Sequence, residues 1–246
     1  MSILTDIQKS NFGGKKLLAI LVDPDDVLDV DHLVKELKNS PPNLILVGGS
    51  VITKNNFELV VTTLSNAEIA PVVLFPGDAS QIAKDADGVL LLSLISGRNP
   101  EYLIGQHVKA ARHIKDWGKE VIPTSYILLN GGNVTTVQKV SETHPISQMD
   151  IDLIIDTALA GQQMGHQLLY LETGSGALET VSLEVISSVK QMLSLPLIVG
   201  GGIKSVEKAR AIWESGATLI VIGTAFEKGG INLEDLLLQR DQLNGN

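Results

Sequence analysis

The chain has 246 residues, 44% of them hydrophobic, and the apolar residues are spread along its whole length. This composition predicts one domain with a sizeable core. A net charge of -9, with no Lys/Arg block and only 4% aromatic residues, argues against a nucleic-acid partner. Cysteine is absent, which excludes disulfides, thiolate metal sites and thiol nucleophiles and favours a cytoplasmic protein. No apolar run approaches the roughly 20 residues that span a bilayer.

Eight short runs rich in Leu, Ile and Val predict eight strands that are apolar on both faces. They lie at residues 17–22, 44–47, 72–75, 89–92, 121–123, 168–171, 197–199 and 219–222. Seven segments have the apolar spacing of helices and lie at residues 29–39, 55–65, 100–115, 151–164, 183–193, 205–214 and 233–243. The alternation predicts a single domain over residues 1–246, with a parallel sheet closed into a (β/α)8 TIM barrel. An open, doubly wound sheet is the structural alternative.

Two connections depart from the regular alternation. Residues 76–88 leave room for at most one or two helical turns, so the helix between strands 3 and 4 is expected to be shortened or missing. Residues 125–149 form a long polar connection that includes Asn130, Gly131 and Gly132. A connection of this length without its own secondary structure is usually a functional lid or a disordered loop.

Polar and glycine residues follow five of the predicted strands. Because the reactive face of a TIM barrel lies at the carboxyl ends of its strands, these residues are expected on one rim. The glycines of residues 174–176, 200–202 and 223 predict a phosphate site, since a backbone without side chains lets N–H groups approach an anion closely. Ser175 and Thr224 could add hydroxyl donors. The alternative is that these glycines only make tight turns.

The carboxylates on this rim suggest two further roles. Asp23 and Asp25, together with the Ser50 hydroxyl, offer the hard oxygen ligands that suit Mg²⁺. The Asp-Pro-Asp sequence could equally form a turn or cap the following helix. Glu172 ends a buried strand directly before a glycine loop, where it could act as a general base. Its alternative role is a structural ion pair.

None of the five histidines follows a predicted strand directly. His166 precedes strand 6, at the opposite rim, and is expected to be structural. The sequence shows no serine-histidine-acid arrangement and no dinucleotide-binding glycine pattern after strand 1.

Seven motifs together resemble the geranylgeranylglyceryl phosphate synthase family, in the branch that includes bacterial relatives. The motifs are "LVDPDD" at 21–26, "LVGGS" at 46–50, "LFPGD" at 74–78, "PTSYILL" at 123–129, "YLETGSGA" at 170–177, "VGGGIKS" at 199–205 and "VIGTAFE" at 221–227. Many phosphate-binding barrels share the last two motifs, but the combination with "DPD", "GGS" and "YLETGSG" is specific to this family. The resemblance extends over residues 12–230.

The resemblance implies a homo-oligomeric prenyltransferase of ether-lipid biosynthesis. Such an enzyme joins a polyprenyl diphosphate, typically geranylgeranyl diphosphate, to the C3 hydroxyl of sn-glycerol 1-phosphate and releases diphosphate. By resemblance, Asp23 and Ser50 would hold Mg²⁺, and Glu172 and Tyr170 would be catalytic. The glycerol phosphate site would contain Tyr170, Leu171, Glu172, Thr173, Gly174, Ser175, Gly176, Gly201, Gly202, Gly223 and Thr224. The prenyl chain is expected to pass the thin wall near residues 75–94.

The sequence departs from the family pattern at Thr173, where alanine is common. The added hydroxyl is expected to leave the loop intact.

Two rival functions remain open at this level. One is a phosphosugar isomerase barrel, although strand 5, predicted to end at residues 123–125, offers no acid for its chemistry. The other is a barrel that binds a phosphometabolite without turning it over.

Overall fold

Eight parallel strands close into a barrel in chain order, and β8 pairs with β1 to complete the ring. The computed structural model describes residues 2–245. The strands are β1 (Leu17–Val22), β2 (Leu44–Val47), β3 (Val72–Leu74), β4 (Gly88–Leu94), β5 (Glu120–Leu128), β6 (Leu168–Glu172), β7 (Leu197–Gly200) and β8 (Leu219–Ile222). The predicted TIM barrel is therefore confirmed, and the open sheet is excluded.

Helices surround the barrel, and all seven predicted helical segments are present within a few residues of their expected bounds. The helices are α1 (Ile3–Phe12), α2 (Val30–Asn39), α3 (Phe57–Asn66), α4 (Gln106–Trp117), α5 (Thr136–Ser141), α6 (Ile151–Gln163), α7 (Leu183–Met192), α8 (Val206–Glu214), α9 (Thr224–Glu227) and α10 (Leu233–Leu243). A π-helical segment, Glu101–Gly105, leads directly into α4. The sequence did not predict α1, α5 or α9.

Alternation along the strands separates two hydrophobic clusters. One fills the barrel interior, and the other lies between the strands and the surrounding helices. Ile3 and Ile7 of α1 pack into the interior cluster. Glu120, at the start of β5, accepts hydrogen bonds from the backbone N–H groups of Ile3 and Leu4 at 2.7 and 2.9 Å. Helix α1 thus covers the amino end of the barrel, and the polar residues gather at the carboxyl end.

The connection between β3 and β4 contains no helix across residues 75–87, all of which the structure describes. The expected shortened or missing helix is confirmed. Val89 and Leu91 of β4 border an apolar groove at this position. The groove also contacts Ala110 and Ile114 of α4, so the neighbouring helix forms its far side.

Strand β5 is longer than the sequence predicted. It pairs with β4 from Glu120 to Tyr126 and with β6 as far as Leu128, which lies opposite Glu172. The prediction that this strand ends near Pro123 was wrong, because the strand continues through the proline and the polar residues that follow it. Residues 125–149 are consequently not one unstructured connection: they contain the end of β5 and helix α5.

None of the helices within residues 2–245 is long and apolar enough to cross a bilayer. The longest, α6, has 13 residues.

Candidate functional site

The carboxyl ends of the strands surround an open cleft of about 720 Å³. The cleft brings together nearly all the residues that the sequence predicted for the site. They are Asp23, Ser50, Tyr170, Glu172, Gly174, Ser175, Gly176, Gly201, Gly202, Gly223 and Thr224. Residues from the first two strands thus face residues from the last three across one space, as the barrel fold requires.

Two predicted site residues do not reach the cleft. Leu171 is fully buried in the cluster between strands and helices, because neighbouring residues of a strand face opposite sides. The prediction that Leu171 lines the glycerol phosphate site was therefore wrong for its side chain. Thr173 is also fully buried, and its Oγ1 has no hydrogen-bond partner within residues 2–245. It lies behind the loop that follows β6 instead of in the cleft.

Glu172 is the most deeply buried acid of the cleft, with 6% of its surface exposed. Its Oε1 accepts a hydrogen bond from the backbone N–H of Gly174 at 2.7 Å. Burial raises the pKa of Glu172 to about 7, and the N–H of Gly174, the Tyr170 hydroxyl and the N–H of Thr173 oppose the rise only in part. A carboxyl group that titrates near neutral pH is suited to accept a proton from a substrate hydroxyl.

Three aromatic rings lie beneath Glu172. The ring of Tyr170 is 5.4 Å from those of Phe75 and Tyr126, measured between centroids, and the latter two are 6.1 Å apart. The Tyr170 hydroxyl is buried and makes no well-aligned hydrogen bond to a group within residues 2–245. Burial, followed by the nearby charge of Glu172, raises its pKa well above the usual value, so the hydroxyl stays protonated. It can therefore donate a hydrogen bond to a ligand.

Two aspartates that follow β1, Asp23 and Asp25, have different contacts. Asp23 lines the cleft and accepts one hydrogen bond at Oδ1, from the Asp25 N–H at 3.0 Å. Burial is the main cause of the raised pKa of Asp23, and the charges of Asp26 and Asp25 add to it. Asp25 points elsewhere. Its carboxylate accepts the Thr53 N–H and hydroxyl, both at 2.7 Å, and the Lys54 N–H at 2.8 Å.

Asp25 therefore fastens the loop that follows β2 to the loop that follows β1. The loop after β2 carries Ser50, so this contact fixes the distance between Ser50 and Asp23 across the rim. The possible capping role of the Asp-Pro-Asp sequence is not observed, because Asp29 caps α2 by accepting the His32 N–H at 3.0 Å.

Glu227 is a cleft residue that the sequence analysis missed. Its Oε1 accepts the Asp23 N–H at 3.2 Å, which ties the short helix α9 to the end of β1. Partial desolvation of its carboxyl group, together with the charges of Asp26 and Asp23, raises the pKa of Glu227 to about 7, although the residue as a whole is exposed. No local signal marked this residue, since the two partners are 204 positions apart in the chain.

The glycine loops face the cleft from β6, β7 and β8. Gly174, Gly201 and Gly202 have φ angles of 97°, 83° and 66°, a region that residues with side chains rarely adopt. The hydroxyls of Ser175 and Thr224 lie 2.8 Å apart and bridge the loops after β6 and β8. Backbone N–H groups and hydroxyls of this kind suit the recognition of a phosphate group.

A second cavity, of about 100 Å³, opens beside the cleft where the wall has no helix. Its lining is mostly apolar and includes Ile82, Leu91, Leu92, Tyr102 and Ile114. We call this cavity the apolar groove. The groove and the cleft share Gly49, Ser50, Phe75, Tyr126 and Val137, so the two spaces meet at these residues.

Tyr126 at this junction was quoted in a motif but given no role, because the prediction ended strand 5 too early. His166 lies outside both cavities, and its Nδ1 is 2.6 Å from Ser125 Oγ.

Comparison with known proteins places this architecture in a family. The sequence matches the PcrB family over residues 13–238. The geranylgeranylglyceryl phosphate synthase of Zunongwangia profunda is 50% identical over 229 residues, covering 92% of this chain and 97% of that protein. The synthase of Pyrococcus abyssi is 40% identical over 217 residues, covering 87% and 85%.

A crystal structure of (S)-3-O-geranylgeranylglyceryl phosphate synthase from Thermoplasma acidophilum, in complex with sn-glycerol-1-phosphate, superimposes with a TM-score of 0.91. The two chains are 30% identical, with 98% of this chain and 99% of that chain covered.

Fold and site thus define a TIM-barrel protein in which a polar cleft adjoins an apolar groove. The chain belongs to the PcrB family. The resemblance to geranylgeranylglyceryl phosphate synthases that the motifs indicated is confirmed.

The role of Asp25 predicts a local change in dynamics. Replacing Asp25 with alanine should raise the hydrogen-exchange rates of the Thr53 and Lys54 amides about tenfold or more, because each loses a charged acceptor contributing roughly 1.5–3 kcal/mol. Exchange measured by NMR tests this. D26A is the matched control, since the Asp26 side chain makes no hydrogen bond within residues 2–245. Equal exchange in D25A and D26A would show that Asp25 does not hold the loop.

Proposed function

We propose that the protein is a Mg²⁺-dependent prenyltransferase that joins geranylgeranyl diphosphate to the C3 hydroxyl of sn-glycerol 1-phosphate and releases diphosphate. The observation that carries this proposal is the junction of cleft and groove at Ser50, Phe75 and Tyr126. A polar headgroup and an apolar chain need adjoining sites of this kind. The names of the relatives support the two substrates.

Glycerol 1-phosphate would lie in the cleft. Its phosphate would contact the loops at Gly201, Gly202, Gly223 and Thr224, with Ser175 donating from the opposite side. The Ser175 and Thr224 hydroxyls now satisfy each other, so phosphate binding exchanges one hydrogen bond for two. The glycerol portion would then extend towards Tyr170 and Glu172, deeper in the cleft.

Glu172 would take the proton from the C3 hydroxyl as that oxygen attacks the first carbon of the prenyl chain. Near neutral pH, a substantial fraction of a carboxyl group with a pKa of about 7 is ionised and able to do so. Tyr170 would donate a hydrogen bond to the glycerol portion and hold the nucleophile. Fixing the two reacting atoms together supplies the entropic part of the rate enhancement.

The residues at the ends of β1 and β2 fit a magnesium ion. Asp23 is half-buried among Asp25, Asp26 and Glu227, and no lysine or arginine within residues 2–245 forms an ion pair with it. Asp23 Oδ2 and the Ser50 hydroxyl are hard oxygen donors without a protein hydrogen bond in the same residues. When bound, Mg²⁺ would neutralise charge on the departing diphosphate.

The prenyl chain would occupy the apolar groove, which begins where the diphosphate site ends. Phe75 and Tyr126 form the entrance, and Leu91 and Ile114 lie further along. Twenty carbons is the chain length that the names of the relatives support.

A direct assay tests the function and the chain length together. Purified protein is incubated with glycerol 1-phosphate, Mg²⁺ and, separately, geranyl, farnesyl, geranylgeranyl and heptaprenyl diphosphate, and lipid product is measured. We expect the highest kcat/KM with geranylgeranyl diphosphate. A higher kcat/KM with heptaprenyl diphosphate would show that the preferred prenyl chain is longer than the one proposed. If no diphosphate gives product, the result would favour a barrel that only binds phosphometabolites.

Metal removal tests the cofactor in the same assay. EDTA should abolish product formation and excess Mg²⁺ should restore it. D23N should weaken Mg²⁺ binding measured by calorimetry, because an amide is a poorer ligand than a carboxylate. Full activity in the presence of the chelator would rule out the metal.

Replacing Glu172 tests its role as the base separately from the binding of glycerol 1-phosphate. E172Q should lower kcat roughly 100-fold or more, the usual scale for a positioned base, while glycerol 1-phosphate binding stays within a few-fold. The parent kcat should fall as the pH drops below about 7, because the carboxylate becomes protonated. E179Q, on an exposed residue of the same connection, is the control. Equal turnover in E172Q and the parent would remove Glu172 from this role.

A further inference from the structure

The glycines at the end of β7 have different neighbours. Gly201 and Gly202 line the cleft, as expected for residues that approach a phosphate, but Gly200 does not. Gly200 is buried and forms the last position of β7, opposite Glu172 in the pairing with β6. Its φ angle lies outside the left-handed region, so its backbone conformation does not require glycine.

The need for glycine at position 200 comes from the space that a side chain would fill. A β-carbon placed on Gly200 would lie 2.6 Å from Glu172 Oε2, closer still to the Tyr170 hydroxyl and 2.9 Å from Tyr170 Cε2. Ordinary contacts of a β-carbon begin at 3.4 Å. The two oxygens therefore occupy the volume that the first carbon of any other residue would take.

We infer that Gly200 is a positioning residue, whose missing side chain creates the recess that holds the Glu172 carboxylate and the Tyr170 hydroxyl at the floor of the cleft. The inference rests on the proposed function, in which Glu172 is the base. It assigns to Gly200 a role in the chemistry of the site instead of a role in phosphate binding. Gly200 acts through Glu172 and does not touch the substrate.

The surroundings of Glu172 show why the recess matters. Its Oε1 is held by the Gly174 N–H, and a β-carbon on Gly201 would also collide with this oxygen. Gly201 has a φ angle of 83°, so alanine there is strained whatever the space, and Gly200 is the cleaner position to test. With a side chain at 200, the carboxylate must move, and the cleft that Glu172 lines offers it space.

The test is G200A, assayed beside E172Q. We expect G200A to retain its fold and to bind glycerol 1-phosphate within about threefold of the parent. Its kcat should fall roughly 10- to 100-fold, since small misplacements of a reacting group are costly. The acidic limb of its kcat–pH profile should move to lower pH, because a carboxylate displaced towards solvent loses the burial that raises its pKa.

Two further variants make the result specific. Y170F removes the nearest colliding atom, so G200A/Y170F should lose less kcat than the product of the two single effects. G13A is the matched control, because Gly13 ends α1 at the amino end of the barrel and a β-carbon there would come no closer than 3.3 Å to a residue beyond its chain neighbours. It should leave both kcat and the pH profile unchanged.

The outcomes separate this inference from the proposed function. If E172Q is slow but G200A has the parent kcat and pH profile, the inference is wrong and the function stands. If E172Q turns over normally, Glu172 is not the base, so this inference fails while the function stands; if the parent forms no product with any diphosphate, the proposed function fails. If G200A does not fold, G200A/Y170F or G200A/E172A should restore folding by removing a colliding group; failure of both would overturn the inference.

Discussion

The parallel register of the barrel is the constraint on which the site depends. Pairing in chain order places all eight carboxyl ends at one rim, and alternation then decides which side chain at each end points inwards. Glu172 faces inwards, between Leu128 of β5 and Gly200 of β7, while Leu171 faces the helices. A slip of one residue in β6 would exchange these two side chains and leave the cleft without its buried acid.

The carboxyl groups on the two sides of the cleft differ in the charges that surround them. Around Asp23, burial is the main cause of the raised pKa, and the charges of Asp26 and Asp25 add to the cost of ionisation, which a bound cation would lower. Glu172 also owes its raised pKa chiefly to burial, but no neighbouring carboxylate adds to the rise, and Glu172 accepts a backbone N–H. The first environment suits a metal that must bind charged diphosphate, and the second suits a base that must exchange a proton near neutral pH. In the proposed mechanism, their separation across the barrel would let both act in one cleft.

Much of this arrangement could be predicted from local patterns, because buried strands and the glycines after them are short, continuous signals. Asp23, Ser50 and Glu172 were found because each directly follows or ends such a run. Tyr126 was missed because Pro123 and the polar residues after it resemble the end of a strand, although pairing with β4 and β6 continues beyond them. Glu227 was missed, and Gly200 was assigned to phosphate binding, for another reason. Their roles are contacts with residues distant in the chain, at positions 23, 170 and 172, which no local pattern reveals.

The apolar groove lies where a regular TIM barrel would have a helix, and its composition indicates what covers the exposed wall. In a regular TIM barrel, a helix covers the outward residues of each strand and keeps them from water. Beside β4 that helix is absent, yet the outward positions remain Val89 and Leu91, and Ile82 and Ile114 face them. A polar residue at the partly exposed position of Leu91 would carry little desolvation penalty, whereas exposed apolar surface costs roughly 25 cal/mol per Å². An apolar ligand that covers this wall would recover that free energy, which accounts for the composition of the groove better than a solvent-filled gap does.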